Sequence, residues 1–118
     1  MLKLRTGTKI YISTELINMR KSIDGISMLV QDLLDQHPQS GHLFIFFNKA
    51  KDKVKVLWWD TNGFILHYKR LEKHRFAVPD FAAKKEWLID EIQLNGLLRG
   101  LDFTLMTNND EINYDQLF

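Results

Sequence analysis

Apolar positions recur along the chain with different periods, and each period predicts a different element. Residues 9–13 alternate apolar and polar side chains, as a strand with one buried face does. Residues 42–48 are almost continuously apolar and predict a central strand covered on both sides, or on one side and partly on the other. Residues 54–59 and 64–71 alternate again around an Asn-Gly turn signal. With the preceding strand they predict a three-stranded antiparallel meander.

Helical spacing appears between the first two strands and again near the end of the chain. Asn18 is placed to cap a first helix that begins at Met19. Gly25 costs such a helix up to about 1 kcal/mol relative to alanine, so we expect it to pack closely against the sheet. Asp90 and Gln93 have the spacing of a capping box and predict a second, short helix. The apolar positions of the first helix are Ile23, Ile26, Leu29, Val30, Leu33 and Leu34.

The chain beyond residue 79 has a weaker pattern. Residues 85–89 fit a helix or a strand, and residues 103–106 fit a last short strand. Residues 107–118 are acidic and amide-rich, so we expect them to fray. No repeat or linker divides the sequence, which predicts one domain over residues 1–118. Together the elements predict an α+β fold: an antiparallel β-meander with helices packed on one face.

Charge is distributed unevenly, although the net charge is only +1. Residues 1–79 contain 13 of the 16 Lys and Arg but 7 of the 15 Asp and Glu, so the body is basic and the remaining segment is acidic. Two interpretations stay open. The basic body either binds a polyanion or is neutralised by the acidic segment within the fold.

Several functional classes are disfavoured by what the sequence lacks. Without cysteine there is no disulfide, thiol catalysis or cysteine-based metal site. No apolar run has the length of a signal-peptide core or a membrane span, so we expect a cytoplasmic protein that does not contact membranes. The histidines lie on separate elements without metal-ligand spacing, and no phosphate loop or nucleophile motif is present. We therefore expect no metal, no other cofactor and no enzymatic activity.

A two-metal nuclease site is the enzymatic alternative, and it would need Asp24, Asp60 and Glu72 to meet. Each carboxylate has a simpler explanation. Asp60 precedes a turn, Asp24 follows Arg20 by one helical turn, and Glu72 sits among cations. We therefore do not favour a nuclease.

The basic cluster is the stronger candidate for function. Cations in the first turn of the predicted helix oppose its dipole, so stability alone does not favour them there. Trp58, Trp59 and Tyr68 could stack on exposed bases or contact a partner protein, but Trp58 and Trp59 must point to opposite faces of their strand. The simpler alternative is that the rings are core and the lysines are a solvated face. The candidate DNA-binding residues are Arg20, Lys21, Lys53, Lys55, Lys69, Arg70 and Arg75.

Five ordered motifs resemble one known family. They are residues 18–25, 40–46, 55–60 with 62–64, 68–72 and 75–76. The sequence resembles the TnpB-type (Orf2) accessory proteins of IS66 insertion sequences from about residue 10 to residue 102. The resemblance implies a small non-catalytic protein required for transposition and encoded beside a separate transposase. It leaves two hypotheses: the protein binds DNA, at the element ends or non-specifically, or it docks on the transposase or another element-encoded protein without touching DNA.

Overall fold

The structure is a computed structural model, and it describes residues 4–78 and 86–101. Within these residues the elements follow the order β1 (Ile10–Ser13), α1 (Ile23–Leu34), β2 (Leu43–Phe47), β3 (Lys53–Asp60), β4 (Gly63–Arg70), β5 (Glu86–Ile89) and α2 (Glu91–Leu98). The strands form one sheet with the order β4-β3-β2-β1-β5. The α+β class predicted from the sequence is confirmed.

The sheet is mixed, whereas the sequence predicted an antiparallel one. Strands β2, β3 and β4 form the predicted antiparallel meander. β1, however, runs parallel to β2, with Ile10 opposite Leu43, and β5 pairs antiparallel with the other edge of β1. The parallel pair follows from the order strand–helix–strand, because the chain needs a crossover such as α1 to return to the same end of the sheet.

The two helices lie on opposite faces of the sheet, so the prediction of helices on one face is wrong. On one face, α1 buries Ile26 and Val30 against a cluster that includes Phe44. On the other, Leu94 of α2 packs in a cluster with Ile45. The reason is β2 itself, whose five residues are all buried. A central strand that is apolar on both faces needs cover on both.

Helix α1 begins at Ile23, four residues later than the predicted start at Met19. Asn18 caps a turn instead, because its Oδ1 accepts a hydrogen bond of 2.9 Å from the backbone N–H of Arg20. Gly25 does not make room for the sheet. A Cβ at this position would lie 3.3 Å from the Cβ of Lys21, so the glycine accommodates that side chain.

The start of α2 agrees with the sequence prediction. Asp90 Oδ1 accepts from the backbone N–H of Gln93 at 2.7 Å, and Gln93 Oε1 accepts from the backbone N–H of Asp90 at 2.9 Å. This reciprocal pair is the predicted capping box. Just before it, the ambiguous residues 85–89 contain strand β5. The predicted strand at 103–106 and the acidic end at 107–118 lie outside the described residues.

The β3–β4 turn holds a threonine in an unfavourable conformation. Asp60 pairs with Gly63, so Thr61 and Asn62 are the two central residues, and Thr61 has a φ of +54°. A β-branched residue in the left-handed region is strained, whereas glycine is not. We expect Thr61→Gly to raise the free energy of unfolding by about 1 kcal/mol in denaturant titrations. Asn62→Gly is the matched control and should give no gain; equal effects of the two substitutions would contradict this description of the turn.

Candidate nucleic-acid interface

Three segments meet at one end of the sheet, which we call the basic end. They are residues 14–22 after β1, residues 48–53 from the end of β2 to the first residue of β3, and residues 69–76 from the last two residues of β4 onward. The backbone N–H of Ile17 donates to Phe47 O at 2.8 Å, and that of Phe76 donates to Lys51 O at 2.7 Å, so the segments are tied together. Their carboxylates are Glu15, Asp52 and Glu72. Their cations are Arg20, Lys21, Lys49, Lys51, Lys53, Lys69, Arg70, Lys73 and Arg75.

An open groove of about 910 Å³ lies at the basic end, and we call it the basic groove. None of the described residues that line it is acidic, and within residues 4–78 and 86–101 no ion pair engages Arg20 or Lys49. Tyr68 contributes an aromatic wall and is 51% exposed. The lining residues are Leu16, Ile17, Asn18, Met19, Arg20, Asn48, Lys49, Ala50, Lys53 and Tyr68.

Lys55 holds two walls of the basic groove together. Its Nζ donates hydrogen bonds of 2.7 Å to Met19 O and of 2.7 Å to Lys21 O. The same ammonium lies 5.5 Å from the centroid of the Tyr68 ring, on the neighbouring strand. Lys55 therefore holds the loop that precedes α1 against the β3–β4 hairpin, and the Tyr68 ring lies beside these hydrogen bonds. Lys55 serves as a structural cation, with two of its three donors committed.

Asn48 fixes the loop that forms another wall of the groove. Its Nδ2 donates to Asp52 Oδ1 at 2.7 Å, and its Oδ1 accepts from the backbone N–H of Lys53 at 3.0 Å. The hydrogen bond from Asn48 lowers the pKa of the Asp52 carboxyl, and the Lys53 ammonium, 3.4 Å away, lowers it further. Asp52 is therefore held as an anion beside Lys53. Within the described residues, neither ion pair of this end of the sheet includes Lys49.

The remaining predicted cations divide between the two faces of the sheet. Lys69 lies on the α2 face, where its Nζ donates to Leu98 O at 2.6 Å. Arg70 is on the α1 face, and its Nε is 2.8 Å from Glu72 Oε2. This pair raises the pKa of Arg70 and lowers that of Glu72. Arg75 is exposed at the basic end, outside the groove lining. The structure thus brings Arg20 and Lys53 together with Tyr68, and separates Lys69 from them.

Comparison with known proteins agrees with the resemblance that the five ordered motifs of the sequence indicate. Residues 8–108 match the family described as IS66 Orf2 like protein. The chain belongs to this family. Two relatives from Sinorhizobium fredii carry the description "uncharacterized protein": y4hO is 33% identical over 103 residues (87% of this chain, 89% of the relative), and y4jC is 31% identical over 98 residues (83% of each). No solved structure matches the chain.

Membership of the IS66 Orf2-like family confirms the resemblance found in the sequence. It indicates an accessory protein of transposition. Within the part of the chain that the structure describes, no helix is long and apolar enough to cross a bilayer.

The tryptophans of this IS66 Orf2-like protein point to opposite faces, as predicted. Trp58 stacks on His67 on the α2 face, with 4.9 Å between ring centroids, and Trp59 packs edge-on against Phe64 at 5.0 Å. Both rings are half-buried, and neither lines the basic groove. They lie at the turn end of the hairpin, so of the predicted aromatic interface only Tyr68 borders the groove cations.

Among the cations that line the groove, Lys49 was not singled out from the sequence, because residues 48–52 look like an ordinary solvated turn. One signal could have found it. If β1 and β2 are taken as parallel, the loops after both strands must lie at the same end of the sheet. Residues 14–22 and 48–52 then become neighbours, and Lys49 comes close to Arg20.

The carboxylates of the nuclease alternative do not meet. Asp60 lies at the turn end of β3, whereas Glu72 follows β4 at the basic end and pairs with Arg70. Seven residues of strand separate these ends, which is about 23 Å. Within residues 4–78 and 86–101, no three His, Asp or Glu side chains form a group that could hold a metal ion.

Glu86 on β5 offers a pH-dependent test of the structure. Burial raises the pKa of its carboxyl, and the nearby Asp35 raises it further. A raised pKa favours the protonated form, so this residue supports the fold below the ordinary carboxyl pKa and loses that contribution as the pH rises through the raised value. We expect Glu86→Gln to melt at a higher temperature than the parent at pH 7. The advantage should disappear at a pH below the ordinary glutamate range, and a difference that is constant with pH would contradict the assignment.

Proposed function

We propose that this protein is a non-catalytic accessory protein of transposition that binds DNA through the basic groove. The supporting observation is the lining of that groove, which combines Arg20, Lys49 and Lys53 with an exposed aromatic ring and includes no carboxylate among the described residues. Arg20 and Lys49 have no ion-pair partner among the described residues, and neighbouring cations of this kind repel each other unless an anion shares the site. The family indicates a role in transposition, and the substrate of transposition is DNA. We therefore take the phosphate groups of DNA as the anions that share the site.

Lysines and arginines around the groove extend the positive surface. Lys21 follows Arg20 and is exposed, and Lys51 belongs to the same loop as Lys49. Arg75 directly precedes Phe76, whose backbone N–H bonds to Lys51 O in that loop. Binding at such a surface releases counterions from DNA, so its affinity falls as salt rises. If about three or four phosphates are contacted, the affinity should drop on the order of 100-fold between about 50 and 200 mM salt.

A fluorescence-anisotropy titration tests the proposal. The labelled probes are DNA from the ends of the insertion sequence, as duplex and as separate strands, and a scrambled sequence of the same length. Binding at low salt, with the expected salt dependence, supports the groove as a DNA site. Preference for the terminal sequence over the scrambled one would distinguish recognition of the element ends from non-specific binding. No binding to any probe at low salt would overturn the proposal.

Docking on a second element-encoded protein is the other candidate function, and a separate cleft favours it. This cleft, of about 390 Å³, lies on the α2 face between α2 and the β3–β4 hairpin. Val56, Leu94 and Leu98 contribute an apolar lining, while Lys69 and His67 lie among the polar residues around it. A segment of the transposase with an apolar side chain between carboxylates would complement this cleft. The apolar side chain would fill the apolar lining, and the carboxylates would pair with the polar residues around it.

A pull-down with the transposase encoded beside this protein tests the docking candidate. Asn95→Arg would place a long side chain in the cleft, and Arg20→Glu in the basic groove is the matched control. Loss of transposase capture with Asn95→Arg but not with Arg20→Glu supports docking at the cleft. Capture that is unaffected by Asn95→Arg, or no capture by the parent protein, would overturn it.

A further inference from the structure

We infer that the basic groove takes an unpaired DNA strand in preference to a duplex, with a base stacked on Tyr68 and the flanking phosphates held by Arg20 and Lys49. This inference rests on the proposed function and names the form of DNA that the groove fits. It depends on three features of the groove: the open space that it offers to a single strand, its apolar lining and the position of its exposed aromatic ring.

The shape of the groove does not match a duplex. A double helix is a convex rod that presents phosphates outside and keeps the faces of its bases stacked inside. Laid across this open groove of about 910 Å³, it could bring phosphates to the cations, but its stacked bases could not reach the apolar lining. An unpaired strand is narrow enough to enter and can turn its bases inward.

The interior of the groove is suited to bases and not to phosphates. Leu16, Ile17, Met19 and Ala50 line it beside the cations, so apolar surface and positive charge alternate over a short distance. Phosphates gain nothing from the apolar part, whereas the flat faces of bases are removed from water there. A single DNA strand has both a charged backbone and apolar base faces. Its phosphates can contact the cations of the groove while its bases cover the apolar lining.

Tyr68 is positioned to act as a stacking platform. Within the described residues it is one of three large hydrophobic side chains that are exposed, and the other two, Met28 and Leu88, lie outside the groove. The ring stands beside Lys55, whose ammonium is itself held by two backbone carbonyls. A tyrosine side chain has only two torsion angles to fix, so it loses little conformational entropy when a base stacks on it.

The polar groups of the groove indicate that the base sequence is read weakly. Both ends of the Asn48 amide are engaged within the protein, by Lys53 N–H and by Asp52. Asn18 Oδ1 accepts from the backbone N–H of Arg20. Few hydrogen-bonding groups remain for the edges of bases. Stacking tolerates any base, so we expect only modest sequence preference.

The test compares a labelled oligothymidine strand with a duplex of the same length and label at equal low salt. We expect the parent protein to bind the unpaired strand at least 10-fold more tightly. Tyr68→Ala should weaken binding of the unpaired strand by about 10-fold and leave duplex binding almost unchanged. Tyr68→Phe, which keeps the ring, should behave as the parent does.

The outcomes separate this inference from the proposed function. Equal or tighter binding of the duplex would overturn the inference while leaving DNA binding at the groove intact. Equal losses for both probes with Tyr68→Ala, or a Tyr68→Phe variant as weak as Tyr68→Ala, would also overturn it, because stacking would then not account for the effect. No binding of either probe would overturn the proposed function itself. Melting temperatures of the two variants close to that of the parent ensure that the affinities describe folded protein.

Discussion

The double variant Arg20→Glu with Lys49→Glu is expected to bind DNA about 100-fold more weakly than the parent at low salt. Both side chains line the basic groove, and no ion pair within the described residues engages either of them. Each reversal removes an attraction to phosphate and introduces a repulsion. At about 0.7 kcal/mol for each unit of charge, the value in water at a separation of about 6 Å, the change of four charge units weakens binding by about 2.7 kcal/mol, which is about 100-fold. Anisotropy titrations measure it directly, and the salt dependence should become shallower as well.

The matched control carries the same change of charge on the neighbouring strand. Lys69→Glu with Arg70→Glu alters the net charge equally, but Lys69 lies on the other face of the sheet and Arg70 is paired with Glu72. We expect its DNA affinity to fall less than 10-fold, because Lys69 lies on the other face and the charge of Arg70, although opposite Lys53, is already offset by Glu72. If Lys69→Glu with Arg70→Glu weakens DNA binding as much as Arg20→Glu with Lys49→Glu does, net charge and not the groove determines binding. Melting curves for both variants show whether the substitutions disturb the fold.

Replacing Lys55 by methionine is expected to lower the free energy of unfolding by about 2 kcal/mol. Methionine keeps most of the aliphatic stem but removes the ammonium that bonds to Met19 O and Lys21 O. Hydrogen bonds to charged groups contribute about 1.5 to 3 kcal/mol each, and solvent access reduces the sum at this half-exposed site. Denaturant titration measures the loss. The substitution also removes the hydrogen bonds that hold residues 19–21 against β3. DNA affinity should therefore fall by more than the loss of one distant positive charge would cause.

Lys69→Met is the matched control for Lys55→Met. Its ammonium bonds to a single carbonyl, Leu98 O, and the residue is exposed. We expect a loss of about 0.5 to 1 kcal/mol and little change in DNA affinity. Equal losses of stability from the two substitutions would mean that Lys55 does not hold the groove together, and the description of its structural role would be wrong.

Local patterns in the sequence predicted local structure well. The Asp90 and Gln93 spacing predicted the capping box. The apolar run of β2 predicted a central strand covered on both sides, or on one side and partly on the other, and the strand is buried throughout. The adjacent Trp58 and Trp59 had to point to opposite faces, which is a geometric property of any strand. Each of these features depends on residues within a few positions of one another, so the sequence determines them without knowledge of the tertiary fold.

Features that depend on contacts between distant segments of the chain could not be predicted from local patterns. The prediction of an antiparallel sheet failed because pairing between β1 and β2 joins residues more than 30 positions apart, as between Ile10 and Leu43. The predicted start of α1 failed because Lys55, on β3, binds the carbonyls of residues 19 and 21 and keeps that segment out of the helix. Lys49 was missed for the same reason, since its proximity to Arg20 exists only in the assembled sheet.

The most direct test of the basic groove as a DNA-binding site is an NMR titration that follows the backbone amide signals while a short DNA strand is added. At 14.0 kDa the protein is well suited to this measurement. Binding in the groove predicts that the largest shift changes occur in residues 16–20 and 48–53 and at Tyr68, with α2 and the Trp58–Trp59 region little affected. Changes concentrated on α2 and the cleft beside it, or no changes at low salt, would contradict it.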